Sequence, residues 1–76
     1  MTYLRPLSAN DLWMSQIFSA RSAQTGGVVR RSVADVERKI GRKALELEVR
    51  RRGFHLLEAG GQFIIVCTRS ELRVVV

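Results

Sequence analysis

Apolar side chains recur at helical spacing along residues 9–24. Trp13, Ile17 and Ala20 stand four and three apart, with Leu12, Met14 and Phe18 beside them, which predicts a helix with a wide apolar face. Ser8 and Asp11 open it as a loose capping box, and Asp11 also suits the positive end of the helix dipole. Gly26 and Gly27 end the helix, because glycine takes the left-handed backbone that a helix C-terminus often needs. Residues 1–7 form a lead with an extended bias where Arg5 precedes Pro6.

Val28, Val29, Arg30 and Arg31 then read as a short strand. Ser32 with Asp35 opens a second helix whose apolar residues Val33, Val36, Ile40, Ala44 and Leu47 fall within roughly 80° of arc at about 100° per residue. This stripe predicts one helix over residues 32–52, passing through Gly41 at a cost of about 1 kcal/mol relative to Ala and closed by Gly53. Residues 54–59 and 62–68 flank Gly60-Gly61, which predicts a hairpin with a two-residue turn. The β-branched run at residues 72–76 predicts a further strand of the same meander. The expected architecture is α+β: two helices packed on a small, four-stranded, mostly antiparallel sheet in the order α-β-α-β-β-β. With 76 residues the chain is expected to form one domain over residues 1–76, since roughly 100–200 residues per domain is usual.

Alternatively, Gly41 forms a turn between two short helices at residues 32–40 and 42–52, with residues 54–67 as a wing. Val36, Ile40, Gly41 and Leu47 then occupy the usual apolar and glycine positions, and the element order over residues 8–67 resembles that of winged helix-turn-helix DNA-binding domains. Two residues depart from that pattern. Glu37 stands where a small residue normally packs between the helices, and Arg42 where an apolar one is expected.

Strand side chains alternate faces, so Phe63, Ile65 and Cys67 point one way and Ile64, Val66 and Thr68 the other. Both sets are apolar, as are Leu56 and Leu57, so the sheet is expected to be covered on both sides, either by helices divided between the faces or by a second copy of the chain. Val74-Val75-Val76, an uncharged β-branched edge, likewise invites strand pairing, so a homodimer through the sheet or the C-terminal strand is an expected partner arrangement.

Charge changes the picture most. Arg30, Arg31, Arg38, Lys39, Arg42, Lys43, Arg50, Arg51 and Arg52 place nine cations in 23 positions against Asp35, Glu37, Glu46 and Glu48, leaving +5 of the whole-chain +6 on one segment. Such a field concentrates polyanions and speeds encounter with them, and each neutralised phosphate releases counterions. Glu46 with Arg50, and Glu48 with Arg51 or Arg52, are also spaced for pairing within a helix, and three terminal arginines suit the negative end of its dipole. Arginine outnumbers lysine eleven to two; bidentate phosphate contact favours arginine, and a GC-rich genome gives the same bias.

Other chemistry is thin. Cys67 is the only cysteine, which excludes an intrachain disulfide and fits a reducing cytoplasm; with His55 it makes half a zinc site at best, so no metal is expected. His55 has no Ser, Cys or Asp spaced for a triad, neither glycine pair has a phosphate-loop ending, and catalysis and cofactors are not expected. Residues 2–8 lack the apolar stretch of a signal peptide, and no run approaches a membrane span. An apolar fraction of 46% with 26% charged residues is that of a globular chain.

The expected function is binding of DNA or RNA through backbone phosphates, with Arg30, Arg31, Arg38, Arg42, Lys43, Arg50, Arg51 and Arg52 as positioning contacts. The alternative is a protein-binding inhibitor or adaptor of the kind phages and mobile elements encode, such as an anti-CRISPR-like protein docking on a larger, nucleic-acid-handling partner.

Overall fold

A computed structural model describes residues 8–76; the lead with the Arg5-Pro6 bias lies outside the described residues. The first helix, α1 (Ala9–Ser19), starts as its sequence predicts: Ser8 Oγ accepts from the Asp11 amide at 3.1 Å, and Asp11 accepts from the Ser8 amide at 3.2 Å. It does not run on to residue 24. Ala20 turns extended, with φ −58° and ψ 146°, and a separate turn of helix follows as α2 (Arg21–Gln24). Helix continuity there would bury little, because Ser19, Arg21 and Ser22 are polar, whereas the bend brings Ala23 into the core beside Ile17 and Phe18.

Strand β1 (Val28–Ser32) leads directly into α3 (Val33–Lys39), and Ser32 serves both, because its Oγ accepts from the Asp35 amide at 3.1 Å. The expected single helix over residues 32–52 is broken. The amides of Ile40 and Gly41 both donate to Val36 O, at 2.9 and 2.7 Å, and Gly41 adopts φ 85° and ψ 147°, a backbone almost closed to residues with a Cβ. A second helix, α4 (Arg42–Arg52), starts in a new direction. Its phase is therefore reset: Leu45 and Val49 enter the core, and Leu47, the last member of the supposed stripe, stands 53% exposed. Gly53 ends α4 in the left-handed region, its amide bonded to Arg50 O and that of Phe54 to Val49 O, both at 3.0 Å.

The hairpin forms as expected, from β2 (His55–Ala59) and β3 (Gln62–Val66), with Gly60 and Gly61 at φ 57° and 73°. The sheet has three strands in the order β1-β3-β2, all antiparallel, and Cys67 N donating to Gly27 O at 2.9 Å extends the β1–β3 ladder by one pair. The fourth strand expected at residues 72–76 is absent for a topological reason. A meander would have needed the free edge of β3, and β1 already occupies it. Val74, Val75 and Val76 stand fully in solvent, 81% exposed or more.

Register assigns the faces. Val29, Ile65 and Leu56 form one row towards the helices, and Arg31, Phe63 and Glu58 the next. Helix residues Ile17, Phe18, Val36, Leu45 and Val49 close over this face, and each of the largest fully buried side chains contributes about 1.5–3 kcal/mol. The expectation that the helices divide between the faces is not met. On the opposite face the rows Val28–Val66–His55 and Arg30–Ile64–Leu57 carry no helix among the described residues, and Val28 and Leu57 remain 45% and 39% exposed.

Candidate nucleic-acid interface

The break at Gly41 decides which side chains of α4 face outward. With Leu45 pointing at the core, about 100° per residue puts Lys43, Leu47 and Arg50 within roughly 60° of each other on the opposite side, flanked by Glu46 and Arg51. Lys43 and Arg50 are both exposed, and neither has a carboxylate within 4.0 Å among the described residues. Seven residues separate them, so they lie about 10 Å apart along the axis, with Leu47 between.

The other nominated cations are divided by the fold. Arg42 leans over the Phe63 ring, 5.1 Å from its centroid, and is bonded to Glu58. Glu46 and Glu37 also approach it, each at 4.0 Å. The two departures from the helix-turn-helix pattern, Glu37 and Arg42, thus face each other across the turn. The hydrogen bond it donates to Glu58, then the Glu58 charge, holds the Arg42 guanidinium more firmly protonated than usual. Arg51 and Arg52 share Glu48 at 2.6 and 2.7 Å, and Arg52 also stacks on Phe18 at 4.3 Å. The hydrogen bond from Arg51, against the opposing effect of burial, keeps the Glu48 carboxyl below the ordinary carboxylate range. Arg38 is paired with Asp35 at 2.6 Å. Arg31 is half-buried beside Phe63 and donates to Arg30 O at 2.6 Å, while Arg30 projects from the face away from α4.

Of the eight residues nominated from sequence, then, the structure brings Lys43 and Arg50 together on one open helix face. It ties Arg38, Arg42, Arg51 and Arg52 to carboxylates and puts Arg30 on the other side of the sheet. Lys39, on the last turn of α3, is a further exposed cation with no ion pair among the described residues. Leu47 was missed as a surface residue because its spacing to Ala44 completes the apolar stripe when Gly41 is read as helical.

Beside this face, a groove of about 430 Å³ runs between α4 and the hairpin, with Val49, Phe54, Leu56 and Phe63 as its floor and Arg50 and Glu58 on its rim. The hairpin tip, from Ala59 to Gln62, carries no cation. Cys67 is buried, its thiol pushed up by desolvation, and His55 Nε2 lies 2.6 Å from Ser70 O. No group of three or more His, Cys, Asp or Glu among the described residues is arranged to hold a metal, and no described helix is long and apolar enough to cross a membrane. No protein-family model, no curated protein and no solved structure matches the chain.

Proposed function

We propose that the chain is a small DNA-binding domain of winged-helix type that lays α4 against the duplex and is anchored by phosphate contacts. The observation that carries it is the pair of unpartnered cations, Lys43 and Arg50, on the outward face of a helix that follows a short helix and a tight turn and precedes a two-stranded hairpin. A helix with its side chains is about 10–12 Å across and fits the major groove of B-form DNA, about 12 Å wide, but not the deep, narrow major groove of RNA. Arg42 and Arg52 contribute mainly to the fold, and phosphate contact would require Arg38, Arg42, Arg51 and Arg52 each to surrender a carboxylate.

Fluorescence anisotropy with a labelled duplex of mixed sequence tests this. Phosphate contacts through Lys39, Lys43 and Arg50 give a slope of log affinity against log salt near roughly −3, whereas engagement of all eight nominated residues gives roughly −7. Lys43→Ala and Arg50→Ala each reduce the slope by roughly 1 and weaken all sequences. Affinity that stays flat with salt removes the proposal. A second reading, docking on a larger protein, is favoured by the uncovered sheet face around Val28 and Leu57. Loss of partner capture on Leu57→Lys, with duplex affinity unchanged, distinguishes it.

A further inference from the structure

Resting on the reading of α4 as a DNA-facing helix, we propose that Leu47 is a specificity-determining residue that recognises the 5-methyl group of a pyrimidine, thymine or 5-methylcytosine, in the major groove. An isolated exposed leucine is ordinary on a protein surface. Leu47 is set apart by its position. It is 53% exposed at the middle of an eleven-residue helix, diametrically opposite Leu45, and contributes nothing to the core. Its neighbours on the same face are Lys43 one turn before and Arg50 one turn after, and neither cation is neutralised by a carboxylate among the described residues.

That sequence of charge, hydrocarbon and charge complements a groove whose walls are phosphate and whose floor bears one apolar feature, the pyrimidine 5-methyl group. Lys43 and Arg50 lie about 10 Å apart along the helix axis, so anchoring both holds Leu47 at the centre of the contact, towards the groove floor. Glu46, the polar residue beside Leu47, is drawn 4.0 Å from Arg42 and so is less available to accept from a cytosine amino group. Leu47 is the side chain left to discriminate, and what it can discriminate is a methyl group.

The test begins with selection of a preferred duplex from a random pool by the full chain. Each thymine in the selected site is then replaced by deoxyuridine, which deletes only the methyl group. Burial of one methyl group is worth roughly fourfold in affinity, so one position should weaken by about that factor in the wild type and recover with 5-methylcytosine when the pair is changed to C·G. In Leu47→Ala the ratio falls to about one, the thermal midpoint is unchanged, and the salt slope is retained, because the phosphate contacts remain. Equal binding of thymine and uracil duplexes at every position, or discrimination that persists in Leu47→Ala, overturns the proposal and leaves DNA binding intact. Absence of salt-dependent duplex binding overturns both.

Discussion

Replacing Gly41 with alanine has opposite effects on stability in the two possible arrangements of residues 32–52. In a continuous helix, alanine is the better residue and stabilises the fold by about 0.5–1 kcal/mol. At the observed φ of 85° and ψ of 147° the backbone itself resists a Cβ. No heavy atom lies within 4 Å of where that Cβ would stand, so no clash contributes and the cost is conformational alone, on the order of 1–3 kcal/mol. Reduced freedom of the unfolded chain returns about 0.4–1 kcal/mol, which leaves Gly41→Ala between neutral and destabilising by roughly 2.5 kcal/mol. For a domain of this size each kcal/mol corresponds to about 4–8 °C in Tm. Urea unfolding followed by Trp13 fluorescence and far-ultraviolet circular dichroism measures the change, and the denaturant slope should stay constant because the surface exposed on unfolding does not change. Trp13 packs half-buried against the core, so its emission reports the global transition. An alanine variant more stable than the wild type by about 0.5 kcal/mol or more would refute the turn and restore the single helix.

Leu45→Ala empties a site with no exposure between α4, α3 and the sheet, and should cost about 2–5 kcal/mol by urea midpoint. Arg52→Ala removes the cation over Phe18 and one of the two partners of Glu48, for a loss of roughly 1 kcal/mol, whereas Arg38→Ala at its exposed pair with Asp35 should change the midpoint by less than about half that. Glu48 is held below its ordinary pKa chiefly by the hydrogen bond from Arg51, so the folded state binds fewer protons there than the unfolded one. Its contribution is complete at neutral pH and fades as pH falls past about 4.3 and on through the lower folded value; a series of urea midpoints should show a shallower acid decline in Glu48→Gln. Cys67, 3% exposed and with its thiol pushed up, should react with an aromatic disulfide at pH 8 only as fast as the native state opens, and at once in urea; rapid native labelling would contradict its burial.

Local signals were legible in the sequence wherever one residue type has one job. Ser8 with Asp11 and Ser32 with Asp35 open helices, Gly53 closes one, and Gly60-Gly61 turns a hairpin, because each requirement is met by side chains or backbone freedom close in sequence. What depended on distant pairing was not legible. The run at residues 72–76 has strand-like composition, but whether it pairs depends on β1, more than forty residues earlier, having already taken the edge of β3. Gly41 was ambiguous for a different reason: an apolar stripe of period 3.6 continues by coincidence across a break that only the backbone angle reveals. Taking the stripe as continuous buried Leu47 and hid the face it lies on.

Net charge misleads in the same way about the candidate site. The segment with +5 suggests one cationic surface, yet a helix that carries both carboxylates and arginines sorts them by angle once its buried side is set. On α4 the sector nearest the core holds Arg42 over Phe63 and Arg52 over Phe18, where the guanidinium groups cover the aromatic rings and pair with Glu58 and Glu48. Those arginines act as amphipathic packing residues, and their charge is compensated where it stands. Glu37 and Arg42 belong to the same arrangement, since a small residue and an apolar one at those positions would close the corner by contact, whereas here the corner is bridged by an ion pair that also reaches the hairpin. Compensation on the inward sector leaves Lys43 and Arg50 as the cations α4 offers outward. Because the +5 already deducts Asp35, Glu37, Glu46 and Glu48, pairing redistributes the field more than it reduces it; on α4 the unpaired charge lies along the face of Lys43 and Arg50, an arrangement that suits a groove.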